Sequence, residues 1–143
     1  SELESEKLEF SKYTLNNLHG ITLRDFGGSL DYVQYLLISE STENYKINSS
    51  IIKNSDKLFR VSIAPNGETI EEIVANGENY DLKYIISNEI PGYFHPITDT
   101  LYDNYEQHPY LKKIFDSDSQ GFKKLKIKVF EINYEEFNRQ LNE

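Results

Sequence analysis

Phe59-Arg60-Val61-Ser62-Ile63 alternates apolar and polar residues and runs into Pro65-Asn66-Gly67. Thr69-Ile70-Glu71-Glu72-Ile73-Val74 follows, then Asn76-Gly77, then Leu82-Lys83-Tyr84-Ile85-Ile86. Asn and Gly both tolerate positive φ, so Asn-Gly between alternating runs is a strong hairpin signal. Two such turns ten residues apart predict a three-stranded antiparallel meander over about 58–87. If 69–74 is a strand, Glu71 and Glu72 point to opposite faces and cannot act on one substrate.

The rest of the chain arranges itself around this segment. Residues 2–18 predict a helix with Leu3, Leu8, Leu15 and Leu18 on one side and Gly20 as its stop. Residues 21–26 alternate and end at Gly27-Gly28, as a short strand or turn. Tyr32–Ile38 is rich in strand formers and predicts a further strand near 31–38, with a shorter one at Tyr45-Lys46-Ile47. Thr98 is placed to cap a helix over 99–107, and Pro109 to open a second short helix through Phe115, giving short helices near 98–115. Leu125, Ile127 and Val129 alternate with lysines, predicting a strand within 123–132 at a lysine-protected edge. Phe130 and Ile132 take the opposite parity, which suggests either a bulge or a strand buried on both faces at its end. A C-terminal helix spans Tyr134–Leu141. The expected class is α+β, an antiparallel sheet flanked by helices.

At 143 residues, with no linker and no repeat, the sequence reads as a single acidic domain, 1–143. Its 38% hydrophobic share is modest, but eleven Tyr and eight Phe supply large apolar surfaces for a core of Ile, Leu, Phe and Tyr. The absence of cysteine excludes disulfides, thiolate zinc sites and cysteine nucleophiles, and nothing calls for a cofactor. Ser1-Glu2-Leu3-Glu4-Ser5-Glu6 has the composition of neither a signal nor a transit peptide. The longest apolar run, Tyr35-Leu36-Leu37-Ile38, is far short of a membrane span. The default expectation is cytoplasmic, and the wealth of Asn, Lys, Ile and Tyr suggests an AT-rich bacterial or phage genome.

The formal charge of −9 is unevenly spread. Residues 1–60 carry nine acids against seven bases, and residues 112–143 six acids against seven bases. Residues 61–111 hold Glu68, Glu71, Glu72, Glu78, Asp81, Glu89, Asp99, Asp103 and Glu106 against Lys83 alone. Gathered on one face, such a run attracts a basic partner and speeds its capture; scattered, it is a solvated surface and no more. Nucleic acid is a poor partner, because binding it needs Lys or Arg to displace counterions. Tyr93, Phe94, Tyr102, Tyr105 and Tyr110 lie in or beside the same third, and tyrosine gives large contact area at low entropic cost.

Three weaker patterns bear on chemistry. Asp116-Ser117-Asp118-Ser119-Gln120-Gly121 resembles the opening of a calcium-binding EF-hand loop, but the position due a bidentate Glu is Ile127. A polar turn is the plainer account. His95 and His108 each precede a proline, with Asp99 and Asp103 between them, so a His/Asp metal cluster is geometrically conceivable, as are two ordinary boundary histidines. No His pair, His19 included, has the spacing of a helical zinc site, and no serine stands in a nucleophile elbow.

The leading expectation is a non-enzymatic, protein-binding module that inhibits a basic protein, in the manner of immunity proteins, antitoxins or phage anti-defence proteins. Its partner surface would comprise Glu68, Glu71, Glu72, Glu78, Asp81, Tyr93, Asp99, Tyr102, Asp103, Tyr105 and Glu106. The alternatives are a small metal-assisted hydrolase or nuclease-like enzyme using His95, Asp99 and His108, with Asp116 and Asp118 a weaker metal pair, or a structural or assembly subunit.

Overall fold

The computed structural model describes residues 1–18, 20–23, 59–61, 67–79, 81–91 and 96–142. The strands expected near 31–38 and at 45–47 lie outside the described residues.

Helix α1 (Glu2–Asn17) begins where the Ser1 side chain accepts the Glu4 N–H at 3.2 Å, and acidic Glu2 and Glu4 suit its first turn. Its inward stripe is Leu3, Glu6, Phe10, Tyr13 and Thr14, at helical spacing, and Leu18 beyond its end is fully buried. Leu8, expected on that stripe, is exposed. Ser11 and Thr14 are buried without penalty because their hydroxyls donate to the carbonyls of Lys7 and Ser11, each at 2.8 Å.

The described strands form one five-stranded sheet. In chain order they are β1 (Gly20–Leu23), β2 (Phe59–Val61), β3 (Leu82–Asn88), β4 (Leu111–Asp116) and β5 (Ile127–Ile132). The spatial order is β2-β1-β3-β5-β4. β3, β5 and β4 make an antiparallel three-stranded half, and β1 and β2 extend it in parallel. With helices packed on the sheet, the class is α+β.

The antiparallel half is not the meander expected over 58–87. Its intended middle strand is helix α2 (Ile70–Glu78), which carries the chain from β2 past β1 to β3. Ile70, Ile73, Val74 and Gly77 are its buried residues, the i, i+3, i+4, i+7 face of a helix. Thr69 caps it: the Thr69 hydroxyl accepts the Glu72 N–H at 3.1 Å, while the Glu72 carboxylate reaches back to the Glu68 N–H at 2.8 Å. Gly77 serves close packing, since a Cβ there would lie 2.5 Å from Leu82 Cδ2.

The region near 98–115 divides. Helices α3 (Pro96–Asp99) and α4 (Leu101–Asn104) and a 3-10 turn (Tyr105–Gln107) hold its first half. The second half is strand β4, not the helix expected after Pro109. Pro109 sits in a turn, and Leu111–Asp116 pairs with β5. β5 is therefore interior, and among the described strands the lysine-guarded edge is β4, where Lys112 and Lys113 are exposed.

Two irregularities distribute the core over both sheet faces. The β1–β3 register shifts between Ile21 and Thr22, and the β4–β5 register between Lys113 and Phe115. Leu82 and Ile85 thus share one face, whereas Tyr84 and Ile86 take the other. Along β5, Ile127 and Val129 meet α1 with Phe10, Phe115, Phe122 and Leu125. Phe130 and Ile132 meet α2, Leu101, Tyr110 and Phe137 on the opposite side. Of the two readings of that parity change, a bulge or burial on both faces, the structure shows burial on both faces. Phe137 belongs to helix α5 (Tyr134–Leu141), which Asn133 caps by accepting the Glu136 N–H at 3.0 Å.

Candidate functional site

Apart from Glu89, just past β3, the acids of the central third fall into two groups on the same side of the sheet, since Leu101 of α4 shares a core cluster with Ile70, Ile73 and Val74 of α2. The first group decorates α2. Because Ile70, Ile73, Val74 and Gly77 turn inward, Glu71, Glu72 and Glu78 are left exposed, with Glu68 just before the helix. Asp81 follows in the turn to β3, exposed, at φ 57°, a conformation that Asp tolerates better than most residues. Glu78 accepts the Asn138 side-chain amide of α5 at 3.0 Å. Among the described residues, no Lys or Arg lies within ion-pair distance of these five carboxylates.

The second group is largely inward or already engaged. Asp99 is only 3% exposed, and its Oδ1 accepts the Asn88 N–H at 2.8 Å. Tyr102 is 5% exposed, and burial raises its phenol above the ordinary value although Ser117 opposes this with a side-chain hydrogen bond. Lys128 Nζ donates to the Tyr102 carbonyl at 2.8 Å and stands 4.1 Å from the centroid of that ring. Half-buried Tyr105 packs on Phe130, with centroids 5.1 Å apart, and both Lys113 and Lys128 approach its face. Asp103 and Glu106 remain exposed. Tyr93 and His95 lie outside the described residues, as does His19.

The structure brings together one titratable cluster that sequence spacing does not show. His108, before β4, places Nδ1 2.9 Å from Glu71 Oε1 across 37 residues of chain. The Tyr110 hydroxyl lies 3.1 Å from the same Nδ1 and donates to the same Glu71 oxygen at 3.4 Å. The His108 side chain is 14% exposed against 49% for Glu71, so the ring is the sheltered member. Burial, reinforced by the Glu71 charge, pushes the Tyr110 phenol well above its ordinary range, so it remains a proton donor.

The Asp116–Gly121 turn spends its oxygens within the protein. Asp116 accepts the Asp118 N–H at 3.0 Å and pairs with Lys113 Nζ at 2.7 Å, and Asp118 pairs with Lys126 Nζ at 2.7 Å. Burial works to raise the Asp116 carboxyl, but Lys113 and the Asp118 N–H hold it below the ordinary range. Gly121 ends the turn at φ 75°. Among the described residues, no group of three His, Asp or Glu side chains is arranged to hold a metal ion. None of their helices is long and apolar enough to cross a membrane.

The helical face of α2 was detectable as Thr69-x-x-Glu72 followed by apolar residues at helical spacing. Compared with protein-family models, with curated proteins and with solved structures, the chain matches none.

Proposed function

We propose that this chain is a small acidic protein-binding module whose contact surface is the outward side of α2 and whose partner is a basic protein. The observation that carries the reading is the exposed acids on and beside α2, Glu68, Glu71, Glu72, Glu78 and Asp81, with no Lys or Arg paired to them among the described residues. Charge of one sign on and beside one helix, unpaired with Lys or Arg, steers an oppositely charged partner and disfavours nucleic acid. Asp103 and Glu106 add to the field from the neighbouring helical layer, whereas inward Asp99 and Tyr102 take no part in contact. Inhibition of the captured protein, as immunity proteins and antitoxins practise it, is the finer form of the proposal. The metal-assisted alternative has less behind it, because Asp99 gives one oxygen to a backbone N–H and His108 faces Glu71.

Calorimetric titration with a decalysine peptide, whose charge is constant near neutrality, tests the surface. Reversing Glu71, Glu72 and Glu78 to Lys together is expected to weaken binding by at least about tenfold, since exposed charge pairs contribute up to about 1 kcal/mol each. Reversing the exposed acids Glu2, Glu4 and Glu9 of α1 is expected to matter much less. Equal loss from both triple variants, or binding that ignores added salt, overturns the reading.

A further inference from the structure

The Glu71–His108–Tyr110 cluster lies at the edge of the proposed surface and is the one place among the described residues where a histidine meets a surface carboxylate. We infer that His108 is a proton-driven regulator of that surface: when its ring takes up a proton, it cancels the Glu71 charge and weakens capture of a basic partner. The inference deepens the proposed function and rests on it.

The argument is geometric. Imidazole is the side chain whose charge ordinarily changes between about pH 5 and 8. At 2.9 Å, a protonated His108 and Glu71 make an ion pair, and the first turn of α2 then presents one negative charge fewer to solvent. His108 is held where it must act, since the His108 N–H donates to the Tyr105 carbonyl and the Leu111 N–H to the His108 carbonyl, each at 2.9 Å. Among the described residues, the groups facing the ring are Glu71 from α2 and Tyr110 from the turn into β4, and α5 meets Tyr110 through the uncharged Phe137. Tyr110 stays neutral across this pH range, so among the described residues Glu71 is the formal charge in contact with the ring. The sheltered ring and exposed carboxylate suit this task, because the change in the sheltered partner is felt at the surface.

Decalysine titrations at about pH 5.5 and about pH 8 test it, because lysine holds its charge across that range. Wild-type protein is expected to bind about two- to fivefold more weakly at the lower pH, the effect of one exposed charge. His108→Gln is expected to bind as wild type does at pH 8 and to lose the pH response. Glu71→Gln is expected to bind more weakly at pH 8 and to lose the response as well. NMR of the His108 ring supplies a readout independent of the peptide, with its side-chain signals expected to change in Glu71→Gln, which removes the charge 2.9 Å from Nδ1. Salt-sensitive binding through α2 with no pH response, or a response that survives His108→Gln, overturns the regulatory inference alone. Peptide binding that does not depend on the α2 carboxylates overturns the surface reading and the inference together.

Discussion

Glu6, in the second turn of α1, sets its Oε1 2.7 Å from the backbone N–H of Lys124, 118 residues further along the chain. The same carboxylate accepts the N–H groups of Lys123 at 3.0 Å and Leu125 at 2.9 Å. Three successive backbone donors that precede β5 are thereby satisfied by one side chain from the helix on that face. The contact fixes α1 over the core formed by Phe10, Phe115, Phe122, Ile127 and Val129.

Glu6→Gln keeps the shape of this contact but removes its charge and turns one acceptor into a donor. It is expected to lower the melting temperature at neutral pH by several degrees. Burial acts to raise the Glu6 carboxyl, yet the three N–H groups and the nearby Lys126 charge outweigh it and hold it below its ordinary value of 4.5. A carboxyl depressed on folding stabilises the protein fully above that ordinary value, and the contribution is lost as pH falls through the folded one. Thermal melts from pH 7 downward should therefore show the gap between wild type and Glu6→Gln closing below 4.5. A gap independent of pH would show that the carboxylate charge is not what matters.

Gly77→Ala runs against the usual preference for alanine in a helix. The added Cβ would lie 2.5 Å from Leu82 Cδ2 and 2.9 Å from Leu82 Cβ, and Leu82 is buried in the core beneath α2. Overpacking of this kind costs about 1–3 kcal/mol, more than the helix preference returns. Urea denaturation is expected to show net destabilisation, and a more stable variant would mean that α2 does not approach β3 this closely.

Thr69→Ala removes the hydroxyl that accepts the Glu72 N–H and leaves only the contact of the Glu72 carboxylate with the Glu68 N–H at that end of α2. The expected loss is about 1 kcal/mol by denaturant titration. Thr69→Ser should recover most of it.

Tyr134 donates its hydroxyl to the Leu82 carbonyl at 2.6 Å, joining α5 to the start of β3. Burial first, then the charges of Glu78 and Asp81, push this phenol far above its ordinary value of 10.0. A group raised on folding contributes stability that is complete below its unfolded value and lost as pH rises towards the folded one. Tyr134→Phe is expected to cost about 1 kcal/mol at pH 8, where the carbonyl loses its partner. Its deficit should shrink as pH rises beyond 10.0, where keeping the wild-type phenol protonated itself costs stability.

Much of this protein was determined by local sequence. Ser1 before an acidic turn set the start of α1, Asn133 the start of α5, and the parity change at Phe130 the double burial of β5, because capping and alternation act over a few residues. The charge imbalance, too, is a property of the sequence alone. Tertiary structure decided the rest. Asn76-Gly77 serves a hairpin or a helix packed closely on Leu82 equally well, and the inward demand of Ile70, Ile73 and Val74 on the sheet settled it as a helix. Leu111–Asp116 became a strand because β5 offered it a ladder, overriding the helix start that Pro109 suggested. Which carboxylates reach solvent followed from the same packing, which drew Asp99 inward to the Asn88 N–H and brought His108 to Glu71. Contacts between residues so far apart in the chain depend on the relative placement of whole elements, which no local pattern of residues encodes.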